Sequence, residues 1–290
     1  MPELPEVETT RNELSPHLVG HRITGVDLPW EGIVRRPPAA EFRTGLTGQT
    51  VTGIGRYGKY LVLSLSGPGV LVIHLKMTGS LLLKETGTAP EKFIRAVIHL
   101  NGGVDVHFRD PRKFGAMWLV ADKDEVIPKL GPDPLEAGFT PGRLGELLKG
   151  RTAPIKALLC DQGVIAGIGN MYADEALFAA RIHPLRPAGG LSAAEVKRLQ
   201  AAIRRVLRAG IATKGASTDT YIRPSGELGQ SHLQFKVAHR RGEVCPVCGT
   251  PLERIPVRNR GSYFCPHCQP AAGDAASGAG AGNGVDPTSA

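Results

Sequence analysis

Cys245-Pro246-Val247-Cys248 and Cys265-Pro266-His267-Cys268, separated by sixteen residues, decide how the end of this chain folds. Each C-x2-C turn can aim two sulfurs at one point. Two such turns on neighbouring hairpins close a tetrahedron of thiolates around one structural zinc ion, leaving no open position for substrate. Paired disulfides in an exported protein are the alternative. No signal peptide and no apolar run of about eighteen residues is visible, which favours a reduced, cytoplasmic chain without a membrane segment. The spacing therefore predicts a four-cysteine zinc finger. The fifth cysteine, Cys160, closes the apolar run Ile155-Lys156-Ala157-Leu158-Leu159 and reads as a small core residue.

Around the cysteines the charge is one-sided. Between Ser231 and Cys268, six basic residues (Lys236, Arg240, Arg241, Arg254, Arg258, Arg260) face two acids, Glu243 and Glu253. The whole chain of 290 residues carries 35 Lys+Arg against 27 Asp+Glu, a formal charge of +8. Such a balance favours a polyanionic partner, and a basic zinc module fits nucleic acid better than a merely solvated face.

Upstream, the period of the apolar residues changes halfway. After a short N-terminal helix, Thr50–Ile54, Tyr60–Ser66, Val70–Leu75, Ser80–Leu83, Ala96–Leu100, Val104–Phe108 and Phe114–Val120 read as strands, and Asn101-Gly102-Gly103 marks a hairpin. Many short strands without intervening helices predict an antiparallel β-sandwich or barrel. In the second half, Ser192 and Glu195 form a capping box. Val196, Leu199, Ile203, Val206 and Leu207 make one apolar stripe, so Ala193–Ala209 reads as a helix stopped by Gly210. Pro154–Asp161 and Tyr172–Ala180 also read as helices, joined through a glycine-rich turn. The class is α+β, with more than one domain.

The chain opens Met1-Pro2-Glu3-Leu4-Pro5-Glu6. A small second residue permits removal of methionine, which would expose Pro2 as a secondary amine. A free α-amine has a reference pKa of about 7.7–8.0, so part of it is nucleophilic near neutrality. Attack on a sugar C1′ would give a permanently charged iminium ion that acidifies the C2′ proton. Glu3 and Glu6, three residues apart, would share a helix face near that amine, and one could donate a proton. Taken alone, however, proline and glutamates at this point are ordinary dressing for a helix start.

Five motifs change that balance. Met1–Thr9, His74-Leu75-Lys76-Met77-Thr78-Gly79, Asp110-Pro111-Arg112-Lys113-Phe114-Gly115, Gly167–Glu175 and the four cysteines occur together and in order. From Pro2 to Gln269 the chain resembles the formamidopyrimidine-DNA glycosylases, bacterial enzymes that remove oxidised purines from DNA. The resemblance implies an N-terminal catalytic β-sandwich with an N-terminal helix over 1–130 and a linker over 131–150. A helix-two-turn-helix domain over 151–230 and a zinc finger over 231–270 would follow; the tail over 271–290, mostly Gly, Ala and Ser, is expected from composition to be disordered. It implies Pro2 as Schiff-base nucleophile, Glu3 as proton donor and Glu6 as supporting acid. Lys59 would be the phosphate-contacting proton donor of β-elimination, and Arg260 the zinc-finger arginine that grips the lesion phosphates and serves δ-elimination. Met77, Arg112 and Phe114 would fill the space left by an extruded base. Without the match, Met77 and Phe114 could equally be strand core. His74, Arg151, Lys156 and Asn170 would bind DNA, with backbone N–H groups of Gly167–Asn170 approaching phosphate. The partner implied is damaged double-stranded DNA, bound by a monomer.

Two stretches depart from the family pattern. Glu91-Lys92-Phe93 lacks a histidine that many members carry, a contact that Arg95 could supply. The loop Lys214–Tyr221, which in the family covers the everted base, also differs, and this puts damage preference in doubt. Two other readings remain: an endonuclease VIII-like enzyme for oxidised pyrimidines, against which Leu4 argues, and a non-catalytic zinc protein that only binds DNA.

Overall fold

The computed structural model describes residues 1–218 and 220–271, and its architecture is the expected α+β one. Helix α1 (Leu4–Leu18) leads into two sheets. One has the order β1-β7-β8-β6, built from Ile23–Asp27, Ile94–Leu100, Val104–Arg109 and Ser80–Glu85. The other has the order β2-β9-β5-β4-β3, built from Val34–Arg36, Ala116–Val120, Val70–His74, Tyr60–Leu65 and Val51–Tyr57. Alternation decides the packing. Ala96, Ile98, Leu100, Val106 and Phe108 from the first sheet meet Leu61, Leu63, Leu71, Ile73 and Met117 from the second in one core, which Val7, Leu14 and Leu18 of α1 extend. The hairpin signal at Asn101-Gly102-Gly103 joins β7 to β8 as expected, with Gly103 in the left-handed region.

Several expectations need correction. Ile23–Asp27, Val34–Arg36 and helix α2 (Ala39–Leu46) carry too few residues of regular period to stand out, and β2 pairs parallel to β9 inside an otherwise antiparallel sheet. The strand expected from Phe114 begins only at Ala116, because Phe114 and Gly115 belong to the preceding loop. Within 131–150, read as a linker, lies helix α3 (Pro141–Leu148). Its Leu144 and Leu148 are buried with Phe139 in the core of the second half.

That second core collects α4 (Ile155–Leu159), α5 (Asn170–Ala180) and α6 (Ala193–Ala212), and Cys160 is buried in it. Helix α6 starts at the predicted capping box but runs through Gly210 instead of stopping there. A Cβ at Gly210 would come within 2.6 Å of the Tyr172 ring on α5, so this glycine permits close helix packing rather than ending a helix. Leu4 also joins this core, and α1 therefore bridges the two halves. The last element is the hairpin β10 (Glu253–Val257) and β11 (Arg260–Phe264), packed on a small cluster of Phe178, Val237, Leu252, Cys245 and Cys265. Of the tail, 272–290 lies outside the described residues. Among the described residues no helix is long and apolar enough to cross a membrane.

Candidate active site

The junction of the two halves is built around the first residues of the chain. Glu3 precedes α1 and is buried. Its carboxylate reaches the start of α5, where it accepts hydrogen bonds from the backbone N–H of Gly169 (2.7 Å), Met171 (3.0 Å) and Tyr172 (3.4 Å). The N–H of Leu4 donates to the Gly167 carbonyl at 3.0 Å. This corrects one expectation. Of the N–H groups expected to approach phosphate, that of Gly169 serves Glu3, the anion favoured by that helix end, and that of Gly167 donates to Gln162 Oε1 at 2.8 Å. The glycines make room for it: a Cβ on Gly169 would sit 2.6 Å from Glu3 Oε1, and one on Gly167 would sit 2.7 Å from Leu4. Pro2 is itself buried, one bond before this doubly anchored residue.

Glu6 lies beneath, fully buried. It accepts from the Glu3 N–H (2.7 Å), the Tyr172 hydroxyl (2.7 Å) and the Ala216 N–H (2.7 Å). Burial, and then the charge of Glu3, raise its pKa to about 7 against the favourable hydrogen bonds. Asp174, also buried, is raised by burial to about 7. Both carboxyls keep protons in the folded chain that the unfolded chain releases near pH 4, so stability falls as pH rises from about 4 through 7. For Glu6 a shift from 4.5 to about 7 corresponds to about 3 kcal/mol. Denaturant titrations from pH 5 to 8 should show a smaller fall for Glu6→Gln than for the wild type, Asp174 and Glu175, both raised by burial, keeping theirs. An unchanged slope in the variant would reject the assignment.

Lys59 occupies the tight β3–β4 turn and is 5% exposed, unusual burial for a lysine. Burial lowers its pKa, opposed by the charge of Glu3 and assisted by Arg260, which places all three groups in one electrostatic neighbourhood. Arg260 begins β11, exposed. With Glu3, Met77, Asn170, Ser217 and Thr218 it lines a cavity of about 970 Å³.

Lys156 and Asn170 both reach the zinc-finger hairpin, and Asn170 also lines the cavity. The Lys156 ammonium is buried, 2.5 Å from Asp174 Oδ1 and 3.2 Å from the Gly261 carbonyl. Asn170 Nδ2 donates to the same carbonyl at 3.0 Å. Two donors on the residue after Arg260 fasten the hairpin to α4 and α5. Lys156 is therefore committed inside the protein rather than presented to phosphate.

Met77 and Phe114 are 44% and 41% exposed, which excludes strand core. The Arg112 guanidinium stacks 4.6 Å from the Phe114 ring and lies 3.9 Å from the Met77 sulfur, so the three side chains form one protruding group. Buried Asp110 organises their loop, accepting from the Thr78 hydroxyl and from the N–H of Gly115 (2.6 Å) and Arg112 (3.3 Å). Sequence reasoning gave Asp110 no role of its own; its signal was Asp-Pro, an Asx-turn start. Arg95, suggested as a substitute contact beside Phe93, spends its Nε on the Asp110 carbonyl at 2.8 Å. His74 accepts from the Lys76 N–H at 2.8 Å through Nδ1, and burial lowers its pKa to about 3. It is thus neutral, with Nε2–H free to donate. Arg151 stands apart, its Nε capping the Leu147 carbonyl at the end of α3. Ser217 and Thr218 on the cavity wall belong to the loop that departs from the family pattern, whereas His232 and His239 beside them were not singled out from the sequence.

The four cysteine sulfurs all lie within 4.8 Å of one another. The pairs Cys245–Cys268, Cys248–Cys265 and Cys248–Cys268 are 3.8, 3.5 and 3.5 Å apart. A tetrahedron with Zn–S near 2.3 Å has edges of about 3.8 Å, whereas a disulfide needs about 2.05 Å. The donor set and spacing fit one structural zinc ion.

Three family models match this chain: the formamidopyrimidine-DNA glycosylase N-terminal domain over 1–117, the H2TH domain of the same enzymes over 130–221, and the zinc finger found in FPG and IleRS over 242–271. The formamidopyrimidine-DNA glycosylase of Symbiobacterium thermophilum is 44% identical over 93% of this chain and 90% of its own length; that of Roseiflexus sp. is 45% identical over 93% and 100%. Among solved structures, a Lactococcus lactis FPG mutant bound to Fapy-dG-containing DNA superposes with a TM-score of 0.86 at 34% identity, covering 93% of this chain and all of that one. MutM (FPG) from Thermus thermophilus gives 0.83 at 39% identity, covering 92% and 98%. The fold and the four-cysteine cluster define a zinc-containing DNA-repair glycosylase. The chain belongs to the formamidopyrimidine-DNA glycosylase family, whose enzymes combine glycosylase and abasic-site lyase activity in base excision repair.

Proposed function

We propose that this enzyme excises oxidised purines, 8-oxoguanine and formamidopyrimidines, from duplex DNA through Pro2 and then cuts the abasic strand by β,δ-elimination. The observation that carries the reading is the anchoring of Glu3: it holds the residue before it, Pro2, beside a cavity bordered by Arg260 with Lys59 nearby. Such preorganisation suits a nucleophile that must meet one carbon. With Met1 removed, the Pro2 ammonium gives one proton to the Glu3 carboxylate; the neutral nitrogen then bonds to C1′ as the C1′–base bond breaks, the electron pair leaves with the base, and Glu3 passes that proton to it. The amine proton passes to O4′ as the ring opens, leaving the iminium. Loss of the C2′ proton expels the 3′-phosphate, and a second elimination expels the 5′-phosphate. Lys59, its pKa lowered by burial, suits proton transfer in the first elimination, and Arg260 suits the phosphates. Met77, Arg112 and Phe114 fit the space of the extruded base, and neutral His74 a phosphate.

The solved relatives support the substrate class, since their complexes hold Fapy-dG DNA and abasic-site DNA. We further assign the sandwich, the helical segment and the finger as the working domains, and a monomer in the bacterial cytoplasm as the acting form. Borohydride reduction of the enzyme on abasic-site duplex should yield one covalent adduct at the N-terminus, and excision should favour 8-oxoguanine over thymine glycol. No adduct would leave a DNA-binding protein only; the opposite lesion preference would favour the endonuclease VIII-like reading.

A further inference from the structure

The later turns of α5 and the second half of α6 enclose a groove that the proposed reaction does not use. It has a volume of about 600 Å³ and meets the first cysteine turn of the finger at its edge. Phe178 of α5, Val206 of α6 and Pro246-Val247 of that turn give it an apolar lining. Val247 is 61% exposed, a branched apolar side chain turned to solvent. The groove is separate from the catalytic cavity. Asn170 and Met171 in the first turn of α5 line the cavity, Glu175, Phe178 and Ala179 line the groove, and only Phe235 borders both.

Cations surround this apolar lining. Arg205 and Lys236 border the groove, and Arg208 follows one turn after Arg205. All three are exposed, and none has an ion pair among the described residues. Helix α6 carries five basic residues, Lys197, Arg198, Arg204, Arg205 and Arg208, against one acid, Glu195, which is paired with Arg186. Like charges three residues apart, such as Arg205 and Arg208, weaken a helix, so the fold itself gives no reason for them. The one acid lining the groove, Glu175, is buried. Its carboxylate is spent on the N–H groups of Lys236, Val237 and Ala238, at 2.9, 2.8 and 2.9 Å.

We propose that this groove docks an acidic protein segment with bulky apolar side chains. Leucine or phenylalanine side chains enter beside Phe178, Val206 and Val247, while carboxylates meet Arg205, Arg208 and Lys236. The charge selects an acidic partner, and the apolar lining selects protein over nucleic acid, since a phosphate buried against carbon loses its water without a partner. Because the cavity lies elsewhere, the segment stays bound while DNA occupies the enzyme.

The test uses the zinc-loaded full-length chain and a fluorescein-labelled decapeptide of aspartate and glutamate interrupted by leucine and phenylalanine. One control peptide replaces the apolar residues by serine, another the acids by glutamine. Anisotropy should rise saturably for the first peptide alone, and affinity should fall between about 50 and 200 mM salt as the charges are screened. Arg205→Glu should weaken binding at least about tenfold, the loss of one charge-assisted contact. Val247→Ser should weaken it severalfold by removing apolar area. Thermal unfolding and zinc content show whether the variants stay folded; should Val247→Ser lose zinc, Arg205→Glu, on an exposed helix surface, decides alone. Equal binding of either control peptide, or displacement of the peptide by an equimolar intact duplex, overturns the proposal and makes this a face for polyanions. No saturation below about 1 mM overturns it as well. So does a dimer, seen by analytical ultracentrifugation, that Val247→Ser breaks, because the occupant is then a second copy of the chain.

Discussion

An enzyme whose Pro2 is locked in a peptide bond, by retained Met1 or an added N-terminal residue, should form no borohydride-trapped adduct and show no strand cleavage above background. In that form the proline nitrogen is a tertiary amide, with neither a basic lone pair nor a proton to give. Glu3, Glu6 and the hairpin arginine would be untouched, so DNA affinity should remain. Pro2→Gly makes a subtler case. The primary amine can still attack C1′, but its product is a neutral imine that must gain a proton before it can draw electrons from C2′. The new residue also lacks the ring that fixes φ. A fall of up to about a hundredfold, the cost of a reacting atom misplaced by roughly 1 Å, is expected with the adduct still formed. Equal trapping by the blocked and free chains, read by mass spectrometry of the adduct, would move the nucleophile elsewhere and leave Lys59 as the next candidate amine.

How much of this was legible beforehand depended on whether a signal was local. The zinc ligands were, because C-x2-C fixes geometry within four residues and the second pair needs only a hairpin. Helix α6 was readable from its capping box and stripe, yet its end was misjudged. Gly210 looks like a stop in one dimension and is a contact surface for Tyr172 in three. The same confusion affected Gly167 and Gly169, whose missing side chains admit Leu4 and Glu3 from the far end of the chain. Lys156 was expected at DNA only because the resemblance implied it; in the structure its buried ammonium meets Asp174, eighteen residues on. Met77 and Phe114 could not be told from strand core by pattern, since exposure depends on where the strands stop. The ion pair of Arg223 with Glu13 was beyond reach: the two are 210 residues apart, and nothing in either neighbourhood names the other.

Removing zinc with a strong chelator should abolish DNA binding and strand cleavage while the two-sheet N-terminal half keeps its fold. The finger's own core is a cluster of Phe178, Val237, Leu252, Cys245 and Cys265, two of them ligands. So few apolar side chains cannot offset the entropy of ordering about thirty residues, whereas thiolate–zinc binding contributes on the order of 10–16 kcal/mol in such modules. Without the ion, β10 and β11 lose the knuckles that hold them, and Arg260 loses its fixed position. Ties to the body include the Gly261 carbonyl on Lys156 and Asn170, Gln269, whose Nε2 donates to the Ile182 carbonyl at 2.8 Å, and the Phe264 ring 4.7 Å from that of His183. A neutral hydrogen bond contributes about 1 kcal/mol and one from an ammonium about 1.5–3 kcal/mol, too little to hold a disordered hairpin in register. The sandwich core, by contrast, contains no residue of the finger. Circular dichroism and limited proteolysis of the chelated enzyme should thus report an intact β-rich core with a cleavable C-terminal segment, and added zinc should restore cleavage of abasic DNA. Collapse of the entire fold on chelation would mean that the hairpin supports the sandwich as well as Arg260. Retention of cleavage by the metal-free enzyme would take Arg260 out of the eliminations.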